Sequence, residues 1–304
     1  MKASKWFLLL LAVCLVFSLA ACGGGDGGSD TSADNGGNGD DPAGGGNGGG
    51  NGGDNGGGSG GGNSAPAGPW LCFTAGIDNS SVFLRSGEAG NVGSDRPRIE
   101  FAYESGGNIL NWQPYNMFIY DSTDSLVSEG FVIPLNKNQK VYIRAIGQNE
   151  AFSNYIDGYN YRCVRFKMTG SIAASGNLMS LLDKNCETQV IPNNSCFYNL
   201  FYSCKSLTTA PELPATTLTK ECYSCMFFGC SSLIEVPTEL PAITLAVSCY
   251  NSMFNGCKSL TTAPELPATT LKWGCYAQMF YGCSKLKNIT VYFTDWDEAP
   301  NATS

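Results

Sequence analysis

The groups with chemistry in this 304-residue chain are chiefly thiols: it holds 14 Cys and no His. The missing histidine excludes a Ser-His-Asp triad, a Cys-His dyad and a histidine-ligated zinc site. Eight cysteines form two series, Cys196, Cys222, Cys249, Cys275 and Cys204, Cys230, Cys257, Cys283, each with steps of 26, 27 and 26 residues. Three chemistries suit such thiols. Zinc binding wants closely spaced Cys pairs, and only Cys222 with Cys225 provides one. Disulfides need an oxidising compartment. A buried thiol acting as a small hydrophobe needs only that the copies stack. Helix packing would hold equivalent cysteines about 8–10 Å apart, too far to bridge, which favours the third. Cys225 stands outside both series and is the expected free thiol. Cys72 and Cys163 are a candidate pair in the preceding region.

Acidic and aromatic residues supply the other candidates. Glu212, Glu239 and Glu265 recur with the repeat and are expected to form an exposed acidic column. Thr208 and Thr209 with Thr261 and Thr262 would form a hydroxyl column beside it. Together they are the candidate face for a protein partner, and a cation between the carboxylates is a weaker alternative. Trp112, Tyr115, Tyr155 and Tyr159 lie in turns and are an alternative, glycan-stacking site. Carboxylate pairs such as Asp295 and Asp297 fall in a polar tail, and an acid–base pair needs a pocket. The chain therefore reads as non-enzymatic, with no cofactor and no metal. A net charge of −8 argues against nucleic acid as a partner.

The elements that must position these residues follow from pattern. In each repeat unit Cys222, Tyr223, Met226, Phe227 and Cys230, or their equivalents, fall within about a 140° arc of a helix. The next segment, Thr208-Thr209-Ala210-Pro211-Glu212-Leu213-Pro214, is too rich in proline for a helix and reads as extended. Residues Ser206 to Leu218 recur unchanged as Ser259 to Leu271. A fixed period of this size predicts a solenoid in which each unit closes its core only against its neighbours.

Upstream, residues 69–167 carry short alternating runs, among them Trp70 to Thr74, Arg98 to Glu104 and Lys140 to Ala145, separated by turns such as Ser105 to Asn108. These predict an antiparallel β-sandwich. Residues 168–195 read as a junction or cap and 196–304 as the repeats. Residues 22–68 hold 23 of the 38 Gly, six Asp and no Lys or Arg. They are expected to be a disordered linker with a span of about 35–40 Å. At the start, Lys2 and Lys5 precede an apolar run that is too short to span a membrane.

Two resemblances sharpen this reading. Leu19-Ala20-Ala21-Cys22 resembles the lipobox of bacterial lipoproteins. It implies a signal peptide over residues 1–21, lipidation of Cys22 and a membrane anchor. Gly23 after the Cys favours the outer membrane and the cell surface. The unit Met-Phe-x-Gly-Cys-x-x-Leu followed by Pro-x-Leu-Pro is similar to the BspA-like leucine-rich repeats of bacterial surface proteins, and the preceding β-region resembles the domain that accompanies them. That resemblance implies a secreted or lipid-anchored adhesin that binds host matrix proteins or other bacteria. It carries over no ligand-binding residue. The expected class is thus α+β and multidomain: an antiparallel sandwich followed by a short leucine-rich-repeat solenoid behind a Gly-rich linker.

Overall fold

The computed structural model describes residues 69–87, 97–120, 125–150, 152–157 and 160–294. Residues 1–68, with the signal peptide, Cys22 and the linker, lie outside the described residues, as do Tyr159 and residues 295–304. In chain order the strands are β1 (Leu71–Ala75), β2 (Ser80–Gly87), β3 (Ile99–Ser105), β4 (Asn108–Ile109), β5 (Gln113–Pro114), β6 (Phe118–Tyr120) and β7 (Leu126–Ser128). They continue as β8 (Ile133–Leu135), β9 (Lys140–Ala145), β10 (Asn154–Asp157), β11 (Asn160–Arg162), β12 (Val164–Thr169), β13 (Ile172–Ser175) and β14 (Leu207–Thr209).

The strands make two main sheets. One is ordered β14-β13-β1-β9-β3-β4, with β5 also on β3. The other is ordered β12-β2-β6-β7, with β8 also on β2. A hairpin, β10-β11, stands apart from both. Alternation explains the pairing. In β9, Val141 and Ile143 are fully buried, while Arg144 faces outward beside Glu100 of β3. Phe73 of β1 meets Phe166 of β12 edge-on at 5.0 Å, closing one sheet onto the other. Tight turns use left-handed backbone at Gly106, Gly107 and Asn138. At Gly176 (φ 75°) a side chain would collide with the Trp70 carbonyl, so glycine is required there by space as well as by conformation.

The expected fold class is overturned. The described residues contain no α-helix, only a 3₁₀ turn over Leu178–Leu181. The leucine-rich-repeat solenoid of alternating strand and helix is not formed, and among the described residues β14 is the one strand of the repeat region. Nor is the sandwich purely antiparallel, because β2 pairs with β6 and β13 with β14 in parallel. The cores also merge: one apolar cluster runs from Leu71 and Phe73 through Phe201 to Met279 and Phe293.

The segments expected to be helical are trains of tight turns. Positive φ recurs every fourth residue: Ser195, Asn199, Ser203; Glu221, Cys225, Gly229; Ser248, Ser252, Gly256; Gly274, Gln278, Gly282. A right-handed helix excludes such angles. Backbone N–H groups then alternate in direction. Those of Met226 and Phe228 bond back three residues, to Tyr223 and Cys225, at 3.2 and 3.1 Å. Those of Tyr223, Cys225, Phe227 and Gly229 reach into the next unit, to the carbonyls of Cys249, Asn251, Met253 and Asn255, at 2.7–3.0 Å. Each unit thereby satisfies its backbone half internally and half through its neighbour.

Candidate functional site

The turn trains set the spacing of everything on the repeat. Phe201, Phe227, Phe254 and Phe280 stack with ring centroids 5.2, 5.4 and 5.7 Å apart. Tyr223, Tyr250 and Tyr276 stack beside them at 5.8 Å. Such pairs contribute roughly 0.5–1.5 kcal/mol each beyond the area they bury. Equivalent residues are therefore closer than the helix-packing distance anticipated from sequence, because backbone hydrogen bonds and not side-chain ridges join the units.

The cysteines line this interior. All of the described cysteines are free thiols, Cys72 and Cys163 included, and all but Cys186 are buried. Their second series has a role that spacing alone did not reveal. Cys204 Sγ donates to the Phe166 carbonyl at 3.2 Å, and Cys230, Cys257 and Cys283 donate to the carbonyls of Phe201, Phe227 and Phe254 at 3.0–3.2 Å. A thiol here fills a methyl-sized space and also gives a backbone acceptor in the preceding layer a second donor. Burial pushes the thiols of Cys196 and Cys204 up to about 12. Cys225, the expected free thiol, is 7% exposed at a left-handed turn position, with the Ser224 hydroxyl 3.7 Å from its sulfur.

The candidate partner face divides. Glu212, Glu239 and Glu265 are exposed. Glu239 and Glu265 are bridged in parallel, with Leu240 N–H donating to the Glu265 carbonyl at 3.0 Å. Glu212 instead bridges Asn177, and Tyr292 Oη donates to Glu265 at 3.2 Å. Among the described residues, no group of three potential metal ligands gathers here. Thr208 and Thr209 are half-buried in β14, and Thr208 Oγ1 donates to the Ile172 carbonyl at 3.1 Å. Thr209 bridges Glu235, so Ile234 and Glu235 of the second unit separate this pair from the exposed Thr261 and Thr262.

A second strip was not singled out from sequence. Val190, Thr217 and Thr244 bridge in succession and are exposed, and Ile243 beside them is 69% exposed. Its signal was present in Ala-Thr-Thr-Leu and Ala-Ile-Thr-Leu: Ala215, Ala242 and Ala268 are fully buried, and the two β-branched residues after each are exposed.

The aromatic candidates also separate. Tyr115 is buried, and its hydroxyl accepts from Leu84 N–H at 2.9 Å and donates to the Phe131 carbonyl. Its ring has no free face for a sugar. Trp112 is half-buried, with the Arg144 guanidinium 3.8 Å over its ring and Trp70 edge-on at 5.2 Å. Arg144 is fixed in turn by Glu100 at 2.7 Å. Beside it, the Tyr142 hydroxyl donates to Glu104 at 2.6 Å and Lys140 lies 3.2 Å from the same carboxylate. The Tyr142 hydrogen bond, with Lys140 beside it, holds the Glu104 carboxyl below the usual range. Tyr155 lies in β10, and Tyr159 is outside the described residues.

Comparison with family models, with curated proteins and with solved structures finds no match.

Proposed function

We propose that the chain is an exported surface lipoprotein, anchored through Cys22 in the outer membrane, whose repeat region binds a protein partner as BspA-like adhesins do. The observation that carries the reading is the alignment of exposed side chains from successive units. Val190, Thr217 and Thr244 form one strip and Glu239 and Glu265 another, while side chains of the same units such as Cys222, Tyr223, Met226 and Phe227 are sealed inside. Strips built on a hydrogen-bonded ladder are pre-ordered, so binding incurs little further loss of chain entropy. β-Branched and carboxylate side chains in rows suit a flat protein surface better than a small molecule.

The test uses the full mature chain with Cys22→Ser, applied to an array of matrix proteins and glycans. Binding to a protein on the array, weakened by Thr217→Asp with Thr244→Asp or by Glu239→Lys with Glu265→Lys, supports the proposal. Binding unaffected by both pairs contradicts it, as does retention by glycans alone. The anchor is tested separately. Cys22 takes up labelled palmitate in cells, and Cys22→Ser abolishes the label.

A further inference from the structure

The extended segments of neighbouring units donate in both senses, as where Ile234 N–H reaches back to the Thr208 carbonyl at 2.8 Å, but the backbone hydrogen bonds between turn trains all run one way. At each junction the earlier unit donates N–H and the later unit accepts through C=O, as in Tyr250 to Cys275 (3.0 Å), Ser252 to Ala277 (2.8 Å), Phe254 to Met279 (2.9 Å) and Gly256 to Tyr281 (2.8 Å). The linking peptides are therefore aligned head to tail in parallel rows, and their dipoles add as they do along a helix. The carbonyl end is covered. Ser153 N–H donates to the Cys196 carbonyl at 2.6 Å, Phe166 N–H to the Leu200 carbonyl at 2.8 Å, and Cys163 Sγ to the Tyr198 carbonyl at 3.3 Å.

At the opposite end the Phe293 ring stacks on Tyr276 with centroids 6.0 Å apart, but no backbone among the described residues caps the row of donors. The N–H groups of Tyr276, Gln278, Phe280 and Gly282 hold the donor positions of the last unit and bond to no backbone group among the described residues. Charge is biased in the same direction. From Leu266 to Thr294 the chain has Lys272, Lys285 and Lys287, all exposed, and no Asp or Glu. A row of donors at the positive end of aligned peptides, flanked by lysines, calls for an occupant rich in acceptors and negative charge.

The molecule itself shows what fits such a row, because at every earlier junction it is matched by the carbonyls of another stretch of polypeptide. A second copy does not suit. End to end, donors would face donors; head to tail, the carbonyls needed are held by Ser153, Cys163 and Phe166. We propose that the last repeat unit is a docking face for an acidic, turn-forming or extended segment of a partner protein, held by the N–H row of residues 276, 278, 280 and 282 and by the three lysines. This rests on the protein-binding reading but uses the end of the stack instead of its side, so the two are separable by variant.

The experiment titrates the full mature chain with a ten-residue peptide alternating Asp and Ala, and with its Asn counterpart, while the four amides are followed by NMR. The Asp peptide is expected to shift all four amides, to bind at least about tenfold more tightly than the Asn peptide, and to lose at least about tenfold on Lys272→Glu/Lys285→Glu/Lys287→Glu. N-methylating alternate residues of the probe leaves affinity within about threefold, since this face asks only for acceptors. Thr217→Asp with Thr244→Asp leaves probe binding unchanged. Equal binding of the Asn peptide overturns the proposal, as do unmoved amides or binding of heparin with none of the peptide. It is also overturned if the four amides are protected in the free chain and ending the chain at Thr294 removes that protection, because residues 295–304 would then be the occupant.

Discussion

Residues 71–175 make their backbone hydrogen bonds along extended strands, whereas residues 195–283 make them through alternate peptides of turns. In the first region the partner strand is distant in sequence and mostly antiparallel, as where β3 meets β9. In the second the turn trains pair with the next copy, 25 or 26 residues on, and in parallel. The strands tolerate charge on their outward face, where Arg144, Glu100, Lys140 and Glu104 pair across β3 and β9. The turn trains hold almost nothing ionisable except thiols and phenols, and burial pushes up those sealed inside, such as Cys222, Tyr223, Cys230 and Tyr250. Pairing over an interior thus needs no particular secondary structure, only that every N–H and C=O find a partner.

The largest expected effect comes from breaking the point where the regions meet. The Phe201 ring lies 5.1 Å from Phe166, 6.3 Å from Phe73 and 5.2 Å from Phe227. Phe201→Ala is expected to cost roughly 3–5 kcal/mol and to lower the denaturation midpoint of both regions together. If only one region loses stability, the shared core is wrong.

A smaller effect has the sharper sign. Gln278 is exposed at φ 51°. Gln278→Gly should be more stable than Gln278→Ala by about 1 kcal/mol, because glycine takes a left-handed backbone without penalty. In a helix the order would reverse by a similar amount. Urea denaturation of the two variants decides between them.

Strands 71–75, 99–105 and 140–145 were legible because alternation with a period of two has no competitor over that length. The turn trains were not. Their buried residues recur every fourth position, as in Cys222, Met226 and Cys230. Four and 3.6 residues per turn diverge by only about 80° over nine residues, which a broad apolar stripe absorbs. The distinguishing signal lay at Asn199, Ser203, Gly229, Ser252 and Gly256, residues that tolerate or favour positive φ at a spacing of four. For the site, the exposed glutamates were legible from their recurrence. The burial of Tyr115 was not, because its hydroxyl is matched by backbone groups of Leu84 and Phe131 far away in sequence.

Two further effects are smaller and compare the regions by titration. Glu104 has its pKa lowered by the Tyr142 hydroxyl and by Lys140. Its contribution to stability is present above the unfolded glutamate value, about 4.3, and is lost as pH falls through the lower folded value. Glu104→Gln is expected to flatten that acid limb, measured as denaturation midpoint against pH, and to leave the neutral region little changed. In the repeat, burial makes thiols inert. Burial, with Asp183 nearby, also raises Cys186, to about 11, but it is the one described cysteine that is not buried. Iodoacetamide at mildly alkaline pH is expected to modify Cys186 before any described repeat cysteine, read by peptide mass mapping. Early labelling of Cys225 or Cys230 would show an open interior.

The ladder itself is tested most directly by scalar couplings across hydrogen bonds in isotope-labelled protein. Coupling is expected from the Tyr223 amide to the Cys249 carbonyl and from the Phe227 amide to the Met253 carbonyl, the pairs 3.0 and 2.9 Å apart. Coupling from those amides to Thr219 and Tyr223, four residues back, would mean helices in place of turns and would contradict the account.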